Sequence, residues 1–266
     1  RLASTDHSPV AAYAHLGKKI FGVQFHPEVS HTQNGEKLLG NFAINICGCK
    51  KEWLSKYIVG NIVEEARTVI GDSKAIIGFS GGIDSSVAAM LVQKAIGDKL
   101  LAVYVDTGLM RHRETELLRG AIADSGLRLK IVKAGPRFFR KLKGVSSPER
   151  KRKIIGKLFI DIFSDIAKKE GADFLIQGTI YSDRIESGIT KHSSTIKSHH
   201  NVGGLPKNLR LRLYEPLREL YKDEVRAVAR ALKLPPEISE RQPFPGPGLA
   251  VRIMGSVTPE KAEIVR

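Results

Sequence analysis

A short run of glycines, hydroxyl residues and one carboxylate, residues 80–86, is the part of the chain best suited to chemistry. It reads Ser-Gly-Gly-Ile-Asp-Ser-Ser and lies between an apolar run at 75–79 and a predicted helix over 85–96. Glycines let backbone N–H groups approach oxyanions, serine hydroxyls add donors, and a helix N-terminus adds a positive dipole. The run therefore predicts a phosphate or pyrophosphate site, and its binding residues would be Ser80, Gly81, Gly82, Ile83, Asp84, Ser85 and Ser86.

Asp84 is the unexpected member of this run, because a carboxylate among phosphate-binding donors repels the ligand unless a cation lies between them. Mg²⁺ is held by one or two carboxylates together with phosphate oxygens, so the pattern favours Asp84 as a metal ligand. An N-cap role for Asp84 in the following helix is the alternative. The run lacks the Gly-Lys-Ser/Thr of a Walker loop and the Gly-x-Gly-x-x-Gly of a dinucleotide-binding turn, which excludes both of those patterns.

Composition indicates a globular protein, and its positive net charge raises the question of anionic ligands. The 266 residues are 42% hydrophobic and 27% charged, and the net charge is +15. The basic residues are spread along the chain, so charge alone leaves small phosphate ligands and nucleic acid equally open, with a solvated basic surface as a third interpretation. No apolar stretch approaches the roughly 20 residues of a membrane span and no signal peptide is visible, so a cytoplasmic protein is expected.

The cysteines and the two ends of the chain narrow this further. Cys47 and Cys49 are the only cysteines, and they predict reduced thiols rather than a disulfide framework or a four-ligand zinc site. The first residue is Arg1, and residues 258–266 read as the start of a helix with a Thr cap and a Pro in its first turn. A piece of a longer protein is therefore expected.

The order of apolar patterns predicts the fold. From residue 74 onward, short apolar runs alternate with amphipathic helices, which predicts an α/β fold with a parallel sheet flanked by helices. The period disappears over 183–207, which is predicted to be a long loop of the kind that forms lids. Predicted strands cover residues 19–25, 75–79, 100–105, 129–132 and 174–177, and predicted helices cover 35–46, 51–70, 85–96, 148–169 and 222–233.

The Ser-Gly-Gly-x-Asp-Ser pattern resembles the loop of the N-type ATP pyrophosphatases, which include GMP synthetase, NAD synthetase and tRNA-thiolating enzymes. In that family the loop holds the pyrophosphate leaving group of ATP while an oxygen of the substrate takes the α-phosphate. The resemblance implies an adenine nucleotide α-hydrolase-like fold, ATP as cofactor, and an adenine site near Val105 and Met110. The adjoining Asp106-Thr107-Gly108 would also serve as a purely structural turn.

Further segments resemble the GMP synthetase family in particular. They are Lys-Arg-Lys-Ile-Ile-Gly at 151–156, Lys-Ser-His-His-Asn-Val-Gly-Gly-Leu-Pro at 197–206 and Arg-Gln-Pro-Phe-Pro-Gly-Pro-Gly-Leu at 241–249, with Gln-Gly-Thr at 177–179 beside them. The resemblance implies that xanthosine monophosphate attacks the α-phosphate of ATP with Mg²⁺ present, that pyrophosphate leaves, and that ammonia displaces AMP to give GMP. It also implies that Val105 and Gly178 line the nucleotide site.

Two basic residues of these segments are expected to meet phosphate. Lys197 stands at the edge of the long loop and could close onto the leaving pyrophosphate to neutralise its charge, with a solvated loop lysine as the alternative. Arg152 resembles the family position that grips the 5′-phosphate of the substrate nucleotide, although a basic first turn on a bare helix would face solvent.

The segment Gly-Val-Gln-Phe-His-Pro-Glu at 22–28 resembles the end of a class I glutamine amidotransferase domain. There the His is the general base and the Glu orients it beside a Cys nucleophile, which implies catalytic roles for His26 and Glu28. Cys47 and Cys49 both follow the His and lie outside the elbow that such a nucleophile requires, so glutamine hydrolysis is not expected from this chain alone.

The expected organisation follows from these segments: an amidotransferase tail at 1–49, an ATP pyrophosphatase domain at 50–241 and the start of a dimerisation domain at 242–266. Expected partners are ATP, xanthosine monophosphate and ammonia or glutamine, in a full-length homodimer without nucleic acid or membrane. A tRNA-modifying pyrophosphatase, which shares the loop and would use the +15 charge, is the alternative. A non-catalytic nucleotide-binding piece is a third hypothesis.

Overall fold

The computed structural model describes residues 1–52, 55–186, 211–242 and 244–266. The chain forms two compact units, Arg1–Leu54 and Ser55–Arg266. The predicted domain boundary at 49/50 and the one at 241/242 stay predictions. Lys197, Trp53 and the His pair at 199–200 lie outside the described residues, as does most of the predicted loop.

The first unit is a small antiparallel sheet followed by a helix. Its strands are β1 (Ala3–Thr5), β2 (Ser8–His15) and β3 (Ile20–Val23), in the order β1-β2-β3. The helix α1 (Gly35–Gly40) continues as a π-helical segment over Asn41–Ile46. The predicted strand over 19–25 and the predicted helix over 35–46 are both confirmed, each at slightly shorter or more irregular bounds.

The second unit is built on a five-stranded sheet in which every pair is parallel. The strand order is β6-β5-β4-β7-β8, so β4 lies at the centre. Four strands were predicted and are confirmed, whereas the edge strand β8 was missed because three residues with one charged side chain give no apolar run. The strands are β4 (Ala75–Gly78), β5 (Leu100–Asp106), β6 (Leu129–Lys133), β7 (Phe174–Ile176) and β8 (Arg212–Tyr214).

The helices of this unit are α2 (Ser55–Ile70), α3 (Ile83–Ile96), α4 (Glu114–Ala121), α5 (Gly135–Leu142), α6 (Pro148–Glu170), α7 (Tyr181–Glu186), α8 (Lys222–Ala231), α9 (Pro236–Ser239) and α10 (Pro259–Val265). They cover both faces of the sheet, and alternate strand residues enter two different cores. Ile77 and Ala102 belong to the core that contains helices α2, α3 and α8, while their neighbours Ile76 and Val103 belong to the core that contains α5, α6 and α10. This is the two-sided burial expected of a parallel sheet.

Two details of the helix predictions were wrong. The apolar pattern over 51–70 predicts one buried helix face that includes Tyr57, Ile58, Ile62, Ala66 and Val69. Tyr57 and Val69 are instead about half exposed, and Ile70 completes the buried stripe. The predicted loop was set to begin at residue 183, yet residues 183–186 are the last part of helix α7. At the other end of the chain, the Thr258 hydroxyl accepts a hydrogen bond from the Lys261 N–H at 3.2 Å, which confirms the predicted cap of α10.

A lysine is buried inside the second core. Lys151, in the first turn of α6, is only 1% exposed, and its ammonium donates hydrogen bonds to the carbonyls of Ala250 at 3.1 Å and Ile253 at 2.5 Å. Burial lowers the pKa of Lys151, and the positive charge of Lys261 lowers it further. The two hydrogen bonds tie the turn around residues 250–253 to α6.

Among the described residues, no helix is long and apolar enough to cross a membrane.

We expect Lys151→Met to lower the free energy of unfolding by about 2–4 kcal/mol. The two buried carbonyls lose their hydrogen-bond donor, and this cost exceeds the gain from removing a buried charge. Urea titration followed by circular dichroism measures the change. Lys153→Met is the matched control, since Lys153 is exposed and pairs with Glu149 only at 3.7 Å. A loss at Lys153 equal to the loss at Lys151 would contradict the structural role of the buried ammonium.

Candidate active site

The carboxyl ends of three neighbouring strands meet at one edge of the second unit. The loop of residues 80–86 follows β4, the Asp106-Thr107-Gly108 turn follows β5, and Gly178 follows β7. The pairing continues past the strand end, since the Phe79 N–H donates to the Val103 carbonyl at 2.8 Å. The edge at the carboxyl ends of the strands is where open parallel sheets bind ligands.

The loop is held in shape by its own serines. The Ser80 and Ser85 hydroxyls lie 3.0 Å apart, the Gly82 N–H donates to the Ser80 Oγ at 3.2 Å, and the Ser85 hydroxyl donates to the Gly82 carbonyl at 3.0 Å. These hydroxyls therefore fix the backbone before any ligand arrives, in addition to the donor role predicted for them. Ser86, by contrast, is 1% exposed, and its Oγ has no hydrogen-bond partner among the described residues.

The helix after the loop begins earlier than predicted. Helix α3 starts at Ile83 with Gly82 as its N-cap, so Asp84 is its second residue and the alternative that Asp84 caps the helix is wrong. The first N–H groups of a helix have no partner within it, and they face the loop with the positive end of the helix dipole. Ile83 itself is buried in the core, which anchors this end of the helix.

Gly81 is the position where the backbone requires a glycine. Its φ is +73°, in the left-handed region, and a Cβ there would overlap the side chain of Leu118 from helix α4. Leu118 is 2% exposed, so it has little room to move aside. The loop therefore packs against α4 at Gly81, and another residue type would be strained in the backbone conformation of this position.

Gly178 lies at a second close approach of the backbone. A Cβ on Gly178 would lie 3.0 Å from the Asp84 carbonyl and 3.2 Å from the Ser85 nitrogen. The absence of a side chain lets the end of β7 contact the first turn of α3. The structure therefore brings Gly178 to the first turn of α3 and gives it a packing role there. Its predicted contact with a nucleotide stays a prediction.

The turn after β5 is stabilised by its own side chains. The Asp106 carboxylate accepts a hydrogen bond from the Gly108 N–H at 2.9 Å, and the Thr107 hydroxyl accepts one from the Leu109 N–H at 3.2 Å. This is the structural role that the sequence left open for Asp-Thr-Gly. Val105 is 5% exposed and packs in the second core, so only its backbone faces the end of the strand.

Lys222 is the site residue that the sequence did not reveal. Its ammonium lies 2.8 Å and 2.7 Å from the two carboxylate oxygens of Asp84, although the two residues are 138 positions apart. Lys222 is the first residue of α8, where the helix dipole disfavours a cation. Because the sequence predicts that the helix begins at this residue, an unfavourable positive charge in its first turn was the one local indication that Lys222 has an acidic partner.

The segment at 241–249, which reads Arg-Gln-Pro-Phe-Pro-Gly-Pro-Gly-Leu, is attached to the turn after β5 by several contacts. Arg241 forms an ion pair with Glu114, whose side chain is 3% exposed. The guanidinium of Arg111 donates to the Gln242 carbonyl at 2.8 Å and stacks on the Phe244 ring at 4.6 Å. Leu249 also donates its N–H to the Leu109 carbonyl at 2.8 Å. The segment thereby supports α4, which carries Leu118.

Arg152 lies on a different element from the loop. It is exposed on the first turn of α6, where its guanidinium is 3.8 Å from the Glu149 carboxylate. This is the solvent-facing placement that the sequence allowed for a basic first turn. Its predicted contact with a substrate phosphate stays a prediction.

His26 and Glu28 of the first unit are in contact with each other. The His26 Nδ1 lies 2.8 Å from the Glu28 Oε1, and the two side chains are 81% and 60% exposed. Hydrogen bonds from its own backbone N–H and from His26 lower the pKa of Glu28. The pair has the geometry of a base and its orienting carboxylate, as the resemblance implied.

Asp84 can supply one carboxylate ligand to a magnesium ion. The N–H groups at the start of α3 beside it suit the accompanying phosphate. In the part of the chain that the structure describes, no three His, Cys, Asp or Glu side chains are grouped to hold a metal. A cation at Asp84 would therefore depend on phosphate oxygens and water for its other ligands, which suits Mg²⁺. It would also have to share or replace the contact with Lys222.

Comparison with known families divides the chain in the same way as the fold. Residues 1–46 match the family described as glutamine amidotransferase class-I, and residues 55–137 match the family described as NAD synthase. Two solved structures share the fold of the second unit. An NH3-dependent NAD synthetase from Campylobacter jejuni has a TM-score of 0.55 and 18% identity, and the match covers 70% of this chain and 77% of that one. An NMN synthetase from Francisella tularensis has a TM-score of 0.58 and 17% identity, and the match covers 80% of this chain and 87% of that one.

Relatives of known sequence match along the whole chain. A GMP synthase [glutamine-hydrolyzing] from Symbiobacterium thermophilum is 52% identical over 267 residues, and one from Aquifex aeolicus is 50% identical over 266 residues; each alignment covers 100% of this chain and 52% of the relative. One from Clostridium acetobutylicum is 54% identical over 264 residues, with 98% of this chain and 52% of the relative covered. The chain spans about half the length of the curated relatives it matches.

We expect Gly81→Ala to destabilise the protein by about 3 kcal/mol or more, because it adds a steric overlap with Leu118 to the roughly 1–2 kcal/mol cost of a left-handed backbone. Gly144→Ala is the matched control, since Gly144 has a φ of +75° and no atom near a Cβ. Urea unfolding of Gly81→Ala, Leu118→Ala and the double variant measures the overlap directly. Additive effects in this cycle, rather than a coupling of about 1 kcal/mol or more, would contradict it.

Proposed function

The chain belongs, along its whole length, to the glutamine-hydrolysing GMP synthase family, and on that premise we propose that its protein adenylylates xanthosine monophosphate with ATP and then aminates it to GMP. The observation that carries the proposal is the loop of residues 80–86, preshaped by its serines at the N-terminus of α3. Sequence identity near 50% over the whole chain supports the choice of substrate.

The residues at the sheet edge would act mainly by binding and positioning. The N–H groups of the loop and of the first turn of α3 would hold the pyrophosphate, while the turn after β5 would receive the adenine near Val105 and Met110. Preorganised donors of this kind stabilise charge as it develops, without reorganisation during the reaction. Lys197 and Arg152 would bind the leaving pyrophosphate and the 5′-phosphate of the acceptor.

Mg²⁺ would supply positive charge between the carboxylate of Asp84 and the phosphates when it is bound. Asp84 would hold it through one or both oxygens, in exchange for part of its contact with Lys222. The remaining ligands would come from phosphate and water.

His26 and Glu28 would belong to the glutaminase half of the reaction. With Glu28 on its Nδ1, His26 would present its other nitrogen to a cysteine nucleophile. The predicted organisation assigns residues 1–49 to this half, 50–241 to the pyrophosphatase and 242–266 to a dimerisation domain. Met254 and Ile264, 90% and 84% exposed, offer apolar surface for such a homodimer in the cytoplasm.

A tRNA-modifying pyrophosphatase is the second candidate, and only the shared loop and the +15 charge favour it. Binding of tRNA that weakens steeply with salt, together with AMP formation that requires tRNA, would support it.

We expect the full-length protein, given ammonium, Mg²⁺, ATP and xanthosine monophosphate, to form AMP, pyrophosphate and GMP in equal amounts. Asp84→Asn should lower this rate by about a hundredfold or more, because the charge that holds the metal is lost. Asp72→Asn, which removes an exposed carboxylate paired with Lys99 at 2.6 Å, should leave it unchanged. AMP formation that is independent of xanthosine monophosphate would overturn the proposed acceptor.

We expect His26→Asn in the full-length protein to lower the glutamine-dependent rate by about a thousandfold or more and to leave the ammonium-dependent rate within a factor of two, because only the hydrolysis of glutamine needs the base. Chromatography of glutamate and GMP measures both rates. His31→Asn, a nearby exposed histidine, is the control. Equal losses with both nitrogen sources would show that the change acts on folding or on the pyrophosphatase instead.

A further inference from the structure

The turn after β5 is held by groups from α10 and from the segment before that helix. The Gly108 carbonyl accepts a hydrogen bond from the Arg266 guanidinium at 2.7 Å, and the Met110 carbonyl accepts one from the Arg266 Nε at 3.1 Å. Between them, the Leu109 carbonyl accepts a hydrogen bond from the Leu249 N–H at 2.8 Å. Three consecutive carbonyls of the turn are therefore bound by groups that lie far from it in the sequence.

Arg266 is well placed to hold this turn. It is the C-cap residue of α10, where the helix dipole favours a cation, and its guanidinium lies 2.5 Å from the Glu263 carboxylate. Its side chain is 22% exposed. Ala262 of the same helix is completely buried in the second core, and the ammonium of Lys151 secures the turn that leads to the helix. The guanidinium thus projects from a firmly packed helix.

The flat guanidinium suits this task better than other cationic groups. Its donors point in fixed directions within one plane, so one arginine can bind several acceptors at once without losing its geometry. Here Arg266 uses them for two backbone carbonyls and one carboxylate. The ion pair with Glu263 also keeps the guanidinium from turning away from the carbonyls.

These hydrogen bonds determine how the backbone of the turn is oriented. A peptide unit is planar, so a carbonyl that is fixed in direction also fixes the N–H group of the next residue. The peptide units that begin at Gly108, Leu109 and Met110 are each held in this way, and Arg266 holds two of the three. A ligand that packs against a turn of fixed shape does not have to order that turn when it binds.

We propose that Arg266 is a positioning residue for the adenine base of ATP. It holds the turn after β5 in the shape that receives the base, and it acts on the base rather than on the phosphates. The loop of residues 80–86 is shaped separately by the hydroxyls of Ser80 and Ser85. This inference rests on the proposed function, because it takes the turn to be the place where the adenine binds.

A purely structural tie between α10 and the sheet is the competing explanation. If Arg266 only stabilises the fold, its removal lowers the free energy of unfolding and affects the binding of adenine and of pyrophosphate alike. If it positions the turn, its removal weakens ligands that contain adenine and leaves the binding of pyrophosphate intact. AMP and pyrophosphate are the two products of ATP cleavage, so they report on the two ends of the site separately.

The test is calorimetric titration of the full-length protein with AMP and, separately, with pyrophosphate and Mg²⁺. We expect Arg266→Met to weaken AMP binding by about tenfold and to leave pyrophosphate binding within about twofold of the unaltered protein. Arg128→Met is the matched control, since the Arg128 guanidinium also donates to a backbone carbonyl, that of Asp98 at 2.6 Å, before the first residue of β5. It should bind both ligands as the unaltered protein does.

The outcomes separate this inference from the proposed function. Unchanged AMP affinity in Arg266→Met, or equal losses of AMP and pyrophosphate affinity, would overturn the positioning role even if the protein makes GMP. A loss confined to AMP would support it even if the acceptor proves not to be xanthosine monophosphate. If Arg266→Met does not fold, Arg266→Lys decides, because it keeps the charge at the end of the helix but lacks the planar fork. The inference then requires weaker AMP binding with unchanged pyrophosphate binding, and any other result overturns it.

Discussion

The parallel pairing of β4 with β5 on one side and β7 on the other is the constraint on which the site depends. Ile77 pairs with Ala102 and with Ile176, so the three strands end at the same edge and deliver three turns to one place. The alternation of buried residues between two cores fixes this register, because a slip of one residue would turn every strand side chain to the opposite face. The position of the loop therefore follows from apolar packing well below it.

The supports of the loop come from distant parts of the chain. Leu118 of α4 packs against Gly81. The ion pair of Glu114 with Arg241 holds α4 in turn. The buried ammonium of Lys151 joins the segment after Arg241 to α6. Two of these residues lie in the segments that resemble a ligand-binding family. Part of what resembles a binding motif in the sequence thus has a structural role, because it supports the loop.

The sequence predicted the parts of the fold that depend on local pattern. Four strands and the long helix predicted at 148–169 are confirmed because their apolar runs are unambiguous. The phosphate role of the loop was predicted because glycine and serine between a strand and a helix have few other uses, and it stays a prediction. The strand β8 was missed because tertiary pairing makes it a strand, and its three residues carry no period of their own. The contact of Lys222 with Asp84 was missed for the same reason, since nothing local links residues 138 positions apart.

The net charge of +15 turned out to be a poor guide to the site, and the reason is physical. Exposed lysines and arginines are screened by salt and paired with carboxylates, so their number says little about where an anion binds. Oriented N–H groups at the ends of α3 and α8 are fixed in direction and cost nothing to align. A site built on such groups needs few charged residues, so the total charge of a chain carries little information about where that site lies.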